Sequence, residues 1–220
     1  MLKSTYFMKK IEDLRIDYTK FSMDEFGLLA NPIDQFNNWF KNALDSKVSE
    51  ANAMVLSTVS SQNIPSARVV LLKGVQSNGF KFYTNYDSFK GKELAENPNA
   101  CLTFFWPAIE QQIRITGRVE KIDATESEAY FHSRPRGSQI SALASNQSAK
   151  ITDRVILVDE VARLEKLYAN KTVPKPEFWG GYLLNPTKVE FWQGRSSRLH
   201  DRFLYEKLED NNWQVSRLSP

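Results

Sequence analysis

Between residues 111 and 122 the chain reads QQIRITGRVEKI, in which Ile113, Ile115, Gly117 and Val119 alternate with polar neighbours. A period of two puts one face of a strand in a core and the other in water, which is the habit of antiparallel sheets. Similar stretches recur along the chain. AMVLSTVS (53–60) and SARVVLLK (66–73) flank a turn through Gln62, Asn63 and Pro65 and read as a hairpin, and FKFYTN follows a turn at Ser77, Asn78 and Gly79. ACLTFFW (100–106), FWGGYLL, KVEFWQG, RLHDRFLYEKL and WQVSRL bring the total to about eight strands.

Helical patterns interrupt the strands without alternating one for one. Ile33, Phe36, Phe40 and Leu44 recur at helical spacing over residues 32–47, with Asn31 as N-cap and Pro32 at the first helical position. Residues 88–97 read as a helix, and Thr125 with Glu128 forms a capping box for another that reaches His132. Val155, Val158, Leu164 and Leu167 mark a longer helix over 153–170. Strands in groups with helices between them predict a mainly β fold, an antiparallel barrel with peripheral helices. No composition break divides the 220 residues, and KTVPKP (171–176) reads as a loop, so one domain over 1–220 is expected.

Composition narrows the function classes. A net charge of +3 without a localised stripe does not predict nucleic-acid binding. With two histidines, one cysteine and no clustered carboxylates, no metal site is expected. Cys101 is expected to be a buried strand thiol. No run reaches the roughly 18 apolar residues of a membrane span, and the first residues lack a signal-peptide core, so a cytoplasmic protein is expected. Neither a G-x-G-x-x-G, a P-loop nor a G-x-S-x-G elbow is present, so any phosphate must be held by side chains and strand-end amides.

Three clusters offer such groups. EFWQGRSSRLHDRF (190–203) carries Arg195, Arg198, Arg202, His200 and Trp192. On a regular strand Arg198, His200 and Arg202 would share one face, opposite Leu199, Asp201 and Phe203, a pattern suited to an anionic, planar ligand and equally to a row of solvated charges. YFHSRPRGS (130–138) holds Tyr130, His132, Arg134, Arg136 and Ser138. RVVLLK (68–73) reads as a strand buried on both faces with a cation at each end, Arg68 and Lys73, whose opposite parity demands a bulge or two ligand groups.

In order and spacing, RVVLLK, FYTN, YFHSRPRGSQI, the pair Gln147 and Ser148, FWGG, and EFWQG followed by RLHDRF resemble the pyridoxine (pyridoxamine) 5′-phosphate oxidase family, from about Arg15 to Pro220. The resemblance implies a split β-barrel, a homodimer with FMN at the subunit interface, and oxidation of pyridoxine or pyridoxamine 5′-phosphate by O2 to pyridoxal 5′-phosphate with hydrogen peroxide. It implies that Arg68, Val69, Val70, Leu71, Leu72 and Lys73 line the flavin, continued by Tyr83, Thr84 and Lys90. Gln112, Trp192 and Arg202 would also contact the cofactor, and Gln147 and Ser148 would come from the second subunit. Lys73, Tyr130, Arg134 and Ser138 would clamp the substrate phosphate, Arg198 and His200 would act at its ring, and Arg15 and Tyr18 would lie in a mobile segment, 1–30, that closes over the substrate. One departure stands out: Phe89 replaces the arginine common between Ser88 and Lys90 in the family, removing a cation expected at the FMN phosphate. The alternatives are a split-barrel flavoprotein with another substrate and a non-catalytic carrier of FMN or pyridoxal phosphate.

Overall fold

The computed structural model describes residues 10–24 and 27–220, so part of the expected N-terminal closing segment, residues 1–9 and 25–26, lies outside the described residues. The described residues form nine strands and five α-helices. The strands are β1 (Ala53–Val59), β2 (Pro65–Leu71), β3 (Gly74–Gln76), β4 (Gly79–Asn85), β5 (Asn99–Trp106), β6 (Gln111–Lys121), β7 (Trp179–Gln193), β8 (Asp201–Lys207) and β9 (Trp213–Arg217). The helices are α1 (Pro32–Asp45), α2 (Phe89–Glu96), α3 (Ala124–Ser133), α4 (Arg136–Ala144) and α5 (Val155–Leu167).

Strands pair in the order β2-β1-β5-β6-β7-β4-β3, all antiparallel, with β8 and β9 added beside the second half of β7. The outermost strands, β2 and β3, are consecutive in the chain. The sheet therefore curls until its two ends meet at Leu72 and Lys73, where the Lys73 amide donates to the Lys81 carbonyl at 2.8 Å without a ladder forming. That is a split barrel. β7 reads as two strands in the sequence but runs unbroken for 15 residues, its irregularity absorbed by a register shift opposite Thr116 and Gly117. A Cβ at Gly117 would stand 2.1 Å from the Asn185 carbonyl oxygen, so only glycine allows that approach.

Helix α1 closes the barrel interior. The Asn31 side chain accepts from the Ile33 amide, Pro32 opens the first turn, and the buried ring of Phe36 meets Phe80 and Phe104 at centroid distances of 4.9 and 5.2 Å. Leu44 is exposed, and Trp39 and Ala43 take the buried positions beside Phe36. The core continues through Met54, Leu56, Leu102, Ile113, Ile115, Val189 and Tyr205, the inward halves of alternating strands. A second cluster of Phe131, Ile140, Leu164, Val173 and Trp179 forms under α3, α4 and α5.

Four local readings change. Asp123, not Thr125, caps α3, accepting from the Thr125 and Glu126 amides. Helix α4 carries no sequence signature, because Pro135 starts a helix whose polar first turn has no hydrophobic period. Val155, Val158 and Leu167 on α5 are exposed, leaving Leu164 buried. Cys101 is only half-buried. A larger correction concerns β2: as an edge strand it has neither face fully covered, and Val69 is 65% exposed. Val69, Val55, Phe105, Gln112, Trp192 and Arg202 lie on the same outward sheet face, since Val55 pairs with Val69 and Thr103, and Phe105, Gln112, Trp192 and Arg202 are register partners in turn.

Candidate functional site

A cleft of about 700 Å³ opens among β2, β4, α2 and α4. Arg68, Val69, Val70 and Leu71 line it from the edge strand and Lys73 from just beyond it, Tyr83 and Thr84 from β4, Lys90 from the first turn of α2, Tyr130 from α3, Arg134 from the C-cap of α3 and Ser138 from α4. The parity conflict between Arg68 and Lys73 dissolves because β2 ends at Leu71 and Lys73 stands at the barrel split. Leu72 does not line the cleft; it is buried in the core. Gln147 and Ser148, expected from a second subunit, line this same cleft within the one chain described, with Lys90 Nζ 3.0 Å from Gln147 Oε1. The 145–148 loop folds back over the start of α2, where the Phe89 amide donates to Ser148 Oγ, so the pair reaches its own cleft first.

Four cations, Arg68, Lys73, Lys90 and Arg134, face this space, and among the described lining residues there is no carboxylate. Burial and then the nearby Arg68 push the Lys90 ammonium below its ordinary range. Burial likewise lowers Arg134, whose Nη1 is buried without a hydrogen-bond partner while the guanidinium lies 4.7 Å over the Trp179 ring. Arg68 is held at the rear by Leu56 O, Thr58 Oγ1, Ser66 Oγ and Glu93 Oε2, the last at 3.1 Å. Four cations gathered at low solvation, one of them with a buried donor that has no partner, are suited to hold an anion. The opposite wall is flat. Tyr83 stacks on Tyr130 at 3.9 Å and on Trp179 at 5.4 Å, and burial, then Glu126, pushes the Tyr83 phenol up to about 12, so it stays a donor.

A second cleft of about 510 Å³ gathers Arg15, Tyr18, Arg198 and His200. Here the strand expectation fails: Ser196–Arg198 is a turn of 3-10 helix and β8 begins at Asp201. Ser197 and Arg198 adopt left-handed φ values of 55° and 62°, which ends the period of two before His200. Arg198 and His200 nonetheless share the cleft. Arg202 goes elsewhere, its Nε and Nη2 donating to Glu190 Oε1 at 2.9 and 2.8 Å on the sheet face. His200 packs 4.6 Å from Trp192 and 5.9 Å from Tyr18, and its Nδ1 accepts from the Arg195 amide at 3.1 Å. Burial, then Arg198 and Arg202, lowers its pKa, so at neutral pH it is an uncharged imidazole whose Nε2–H is the free donor.

The two clefts share no lining residue. Trp179 belongs to the first and Trp192 to the second group, 13 residues apart on β7, which is up to ~40 Å along a strand. Sequence reasoning missed Trp179 as a wall, although FWGG contains it, and missed Asp201 and Glu93, which carry no period and whose partners lie far away in the chain. His132 faces Glu128, outside both clefts. Among the described residues no group of ligands is placed to hold a metal, and no helix is long and apolar enough to cross a membrane.

Comparison with known proteins identifies relatives of the whole chain. Residues 40–168 match the family model described as pyridoxamine 5′-phosphate oxidase, and residues 179–220 match pyridoxine 5′-phosphate oxidase C-terminal dimerisation region. Proteins named pyridoxine/pyridoxamine 5′-phosphate oxidase are 49% identical in Trichormus variabilis, over 96% of this chain and 99% of that protein, and 51% identical in Acaryochloris marina, over 96% and 95%. Among solved structures, PhzG from Burkholderia lata, in complex with tetrahydrophenazine-1-carboxylic acid, superposes with a TM-score of 0.86 at 30% identity, covering 92% of this chain and 99% of that one. An FMN-binding protein from Nostoc punctiforme related to pyridoxamine 5′-phosphate oxidase shares the fold, with a TM-score of 0.68 at 16% identity over 84% and 97% of the two chains. The cation-lined cleft, the aromatic wall and these matches place the chain in the pyridoxamine 5′-phosphate oxidase family.

Proposed function

We propose that the protein is an FMN-dependent oxidase that converts pyridoxine 5′-phosphate with O2 to pyridoxal 5′-phosphate and hydrogen peroxide, and pyridoxamine 5′-phosphate with O2 and water to the same products plus ammonia. The observation that carries this reading is the pair of half-sites. Cations and aromatic rings suited to phosphates and flat rings fill the first cleft, while Arg15, Tyr18, Arg198 and His200 sit in a second one that shares no lining residue with it.

A second copy of the chain resolves the separation. The outward sheet face exposes Val55, Val69 and Phe105 and carries Gln112, Trp192 and Arg202, and the C-terminal match is to a dimerisation region. In a homodimer joined on that face, one protomer's first cleft meets the partner subunit's Arg198 and the partner subunit's His200. The buried, unpartnered Nη1 of Arg134 and the depressed Lys90 fit phosphate groups, and Arg68, Lys73, Tyr83, Thr84, Gln147 and Ser148 would hold FMN there. When bound, flavin supplies the two-electron acceptor and its reoxidation by O2.

The chain's own residues orient and shield. Lys73, Tyr130, Arg134 and Ser138 hold the substrate phosphate, so binding energy remote from the reacting carbon fixes its approach. Arg198 and the Nε2–H of His200 donate to the substrate's ring substituents, and because the Arg195 amide occupies Nδ1, His200 positions the substrate without taking its proton. The whole 1–220 chain would act as one unit, with Arg15 and Tyr18 covering the bound substrate. The test is an absorption spectrum of the purified protein with FMN, followed by aerobic pyridoxine 5′-phosphate. Bound flavin with pyridoxal phosphate and peroxide in equal amounts is expected; flavin binding without product would leave a carrier or another substrate and refute the reading.

A further inference from the structure

The two walls of the second cleft are far apart in sequence, and one buried side chain joins them. Residues 14–18 bring Arg15 and Tyr18, and residues 195–200 bring Arg198 and His200. Asp201 is 8% exposed and receives three donors from three segments. Its Oδ2 accepts from the Met23 amide and from Arg195 Nη1, each at 3.0 Å, and its Oδ1 accepts from Arg217 Nη1 of β9 at 3.0 Å. Arg195 extends the connection, because its own amide is the donor to His200 Nδ1.

Other contacts cross the same seam. The Ser197 amide donates to Asp17 Oδ1 at 3.2 Å, and Tyr18 packs edge-on to Trp192 at 5.6 Å. The Lys20 amide donates to the buried Glu110 carboxylate at 3.0 Å. Left-handed backbone at Ser197 and Arg198 persists only where the surroundings over-determine it, and Asp201 borders that loop at the first residue of β8.

We propose that Asp201 is the positioning residue of the second cleft: its carboxylate clasps the N-terminal strap carrying Arg15 and Tyr18 to the loop carrying Arg198 and His200, and so sets substrate affinity without touching substrate. The inference rests on the reading of those four residues as substrate contacts. Asp201→Asn replaces one acceptor oxygen by an amide that faces donors, and Met23→Pro deletes the strap's N–H while leaving Asp201 with both arginines. Three quantities are measured on each FMN-loaded variant: KM and kcat for pyridoxine 5′-phosphate, the FMN dissociation constant by flavin fluorescence, and the rate of tryptic cleavage after Arg15 and Lys20.

For both variants, KM is expected to rise about tenfold or more, as for loss of a charge-assisted hydrogen bond, with strap cleavage accelerating by a similar factor and FMN affinity within about twofold. Unchanged strap cleavage, or unchanged KM, overturns the proposal. So does a parallel loss of FMN affinity and of secondary structure, which would make Asp201 a general stability residue; should Asp201→Asn not fold, Met23→Pro alone decides. If the wild type oxidises no phosphorylated pyridine, the functional reading has failed, and strap cleavage still reports on the clasp.

Discussion

Arg134→Ala separates ligand binding from stability. In the protein without ligand, burial lowers the pKa of Arg134 and leaves its Nη1 without a partner, a condition that costs the fold about 1–3 kcal/mol. Against that stands its guanidinium 4.7 Å over the Trp179 ring, worth roughly 0.5–2 kcal/mol. The two contributions nearly cancel, so Arg134→Ala is expected to leave stability within about 1 kcal/mol of wild type, a shift in Tm of only a few degrees. Binding should respond differently. A guanidinium that meets phosphate through two charge-assisted hydrogen bonds supplies about 3–5 kcal/mol, so KM for pyridoxine 5′-phosphate should rise on the order of 100-fold or more. Because unphosphorylated pyridoxine never draws on that interaction, its rate should change little, and the preference for the phosphate ester should narrow by the same factor. Thermal unfolding and steady-state kinetics with both substrates supply the numbers. A variant that loses several kcal/mol of stability, or that keeps full discrimination for the phosphate, would show that Arg134 serves packing and not the anion.

Gly194→Ala would place a Cβ 2.7 Å from Tyr18 Cγ, so the strap must shift; KM should rise with FMN affinity unchanged, and equal loss of both would contradict the placement of Tyr18. His200 has a lowered pKa, so the folded protein binds its proton less readily than the unfolded chain does, and this group's contribution to stability is present at neutral pH and lost as pH falls below about 6.5. Its protonation also displaces the Arg195 amide from Nδ1, so KM should rise on the acid side, and His200→Gln should flatten that limb in a pH profile. Val69→Asp, on the exposed edge strand, should yield monomers by sedimentation together with loss of turnover, since each protomer keeps only two half-sites. Phe89 is exposed and lines a neighbouring cleft of about 360 Å³, so Phe89→Arg should tighten FMN by no more than about 1 kcal/mol in a fluorescence titration, with turnover unaffected.

Residue patterning alone sets local features. Alternation at Ile113, Ile115, Gly117 and Val119 produced the buried face of β6, Asn31 and Pro32 produced the start of α1, and the order of the motifs produced the family and most of the first cleft, because Arg68, Lys73, Tyr83, Lys90, Tyr130, Arg134 and Ser138 do converge. The tertiary structure decided what depends on which strand has a neighbour and where a turn falls. β2 resembles a doubly buried strand in composition, yet the sheet order leaves it at the edge, and periodicity carries no information on position in a sheet. Arg198, His200 and Arg202 look like one charged face, but the left-handed pair at Ser197 and Arg198 and the Glu190 carboxylate send Arg202 away from the other two. That Gln147 and Ser148 line the first cleft of their own chain is invisible for the same reason: a motif's order along the chain is one-dimensional, whereas membership of a cleft depends on how the backbone folds back. The buried carboxylate of Asp201 owes two of its three donors to that folding, since Met23 and Arg217 lie 178 and 16 residues away and no local pattern links them.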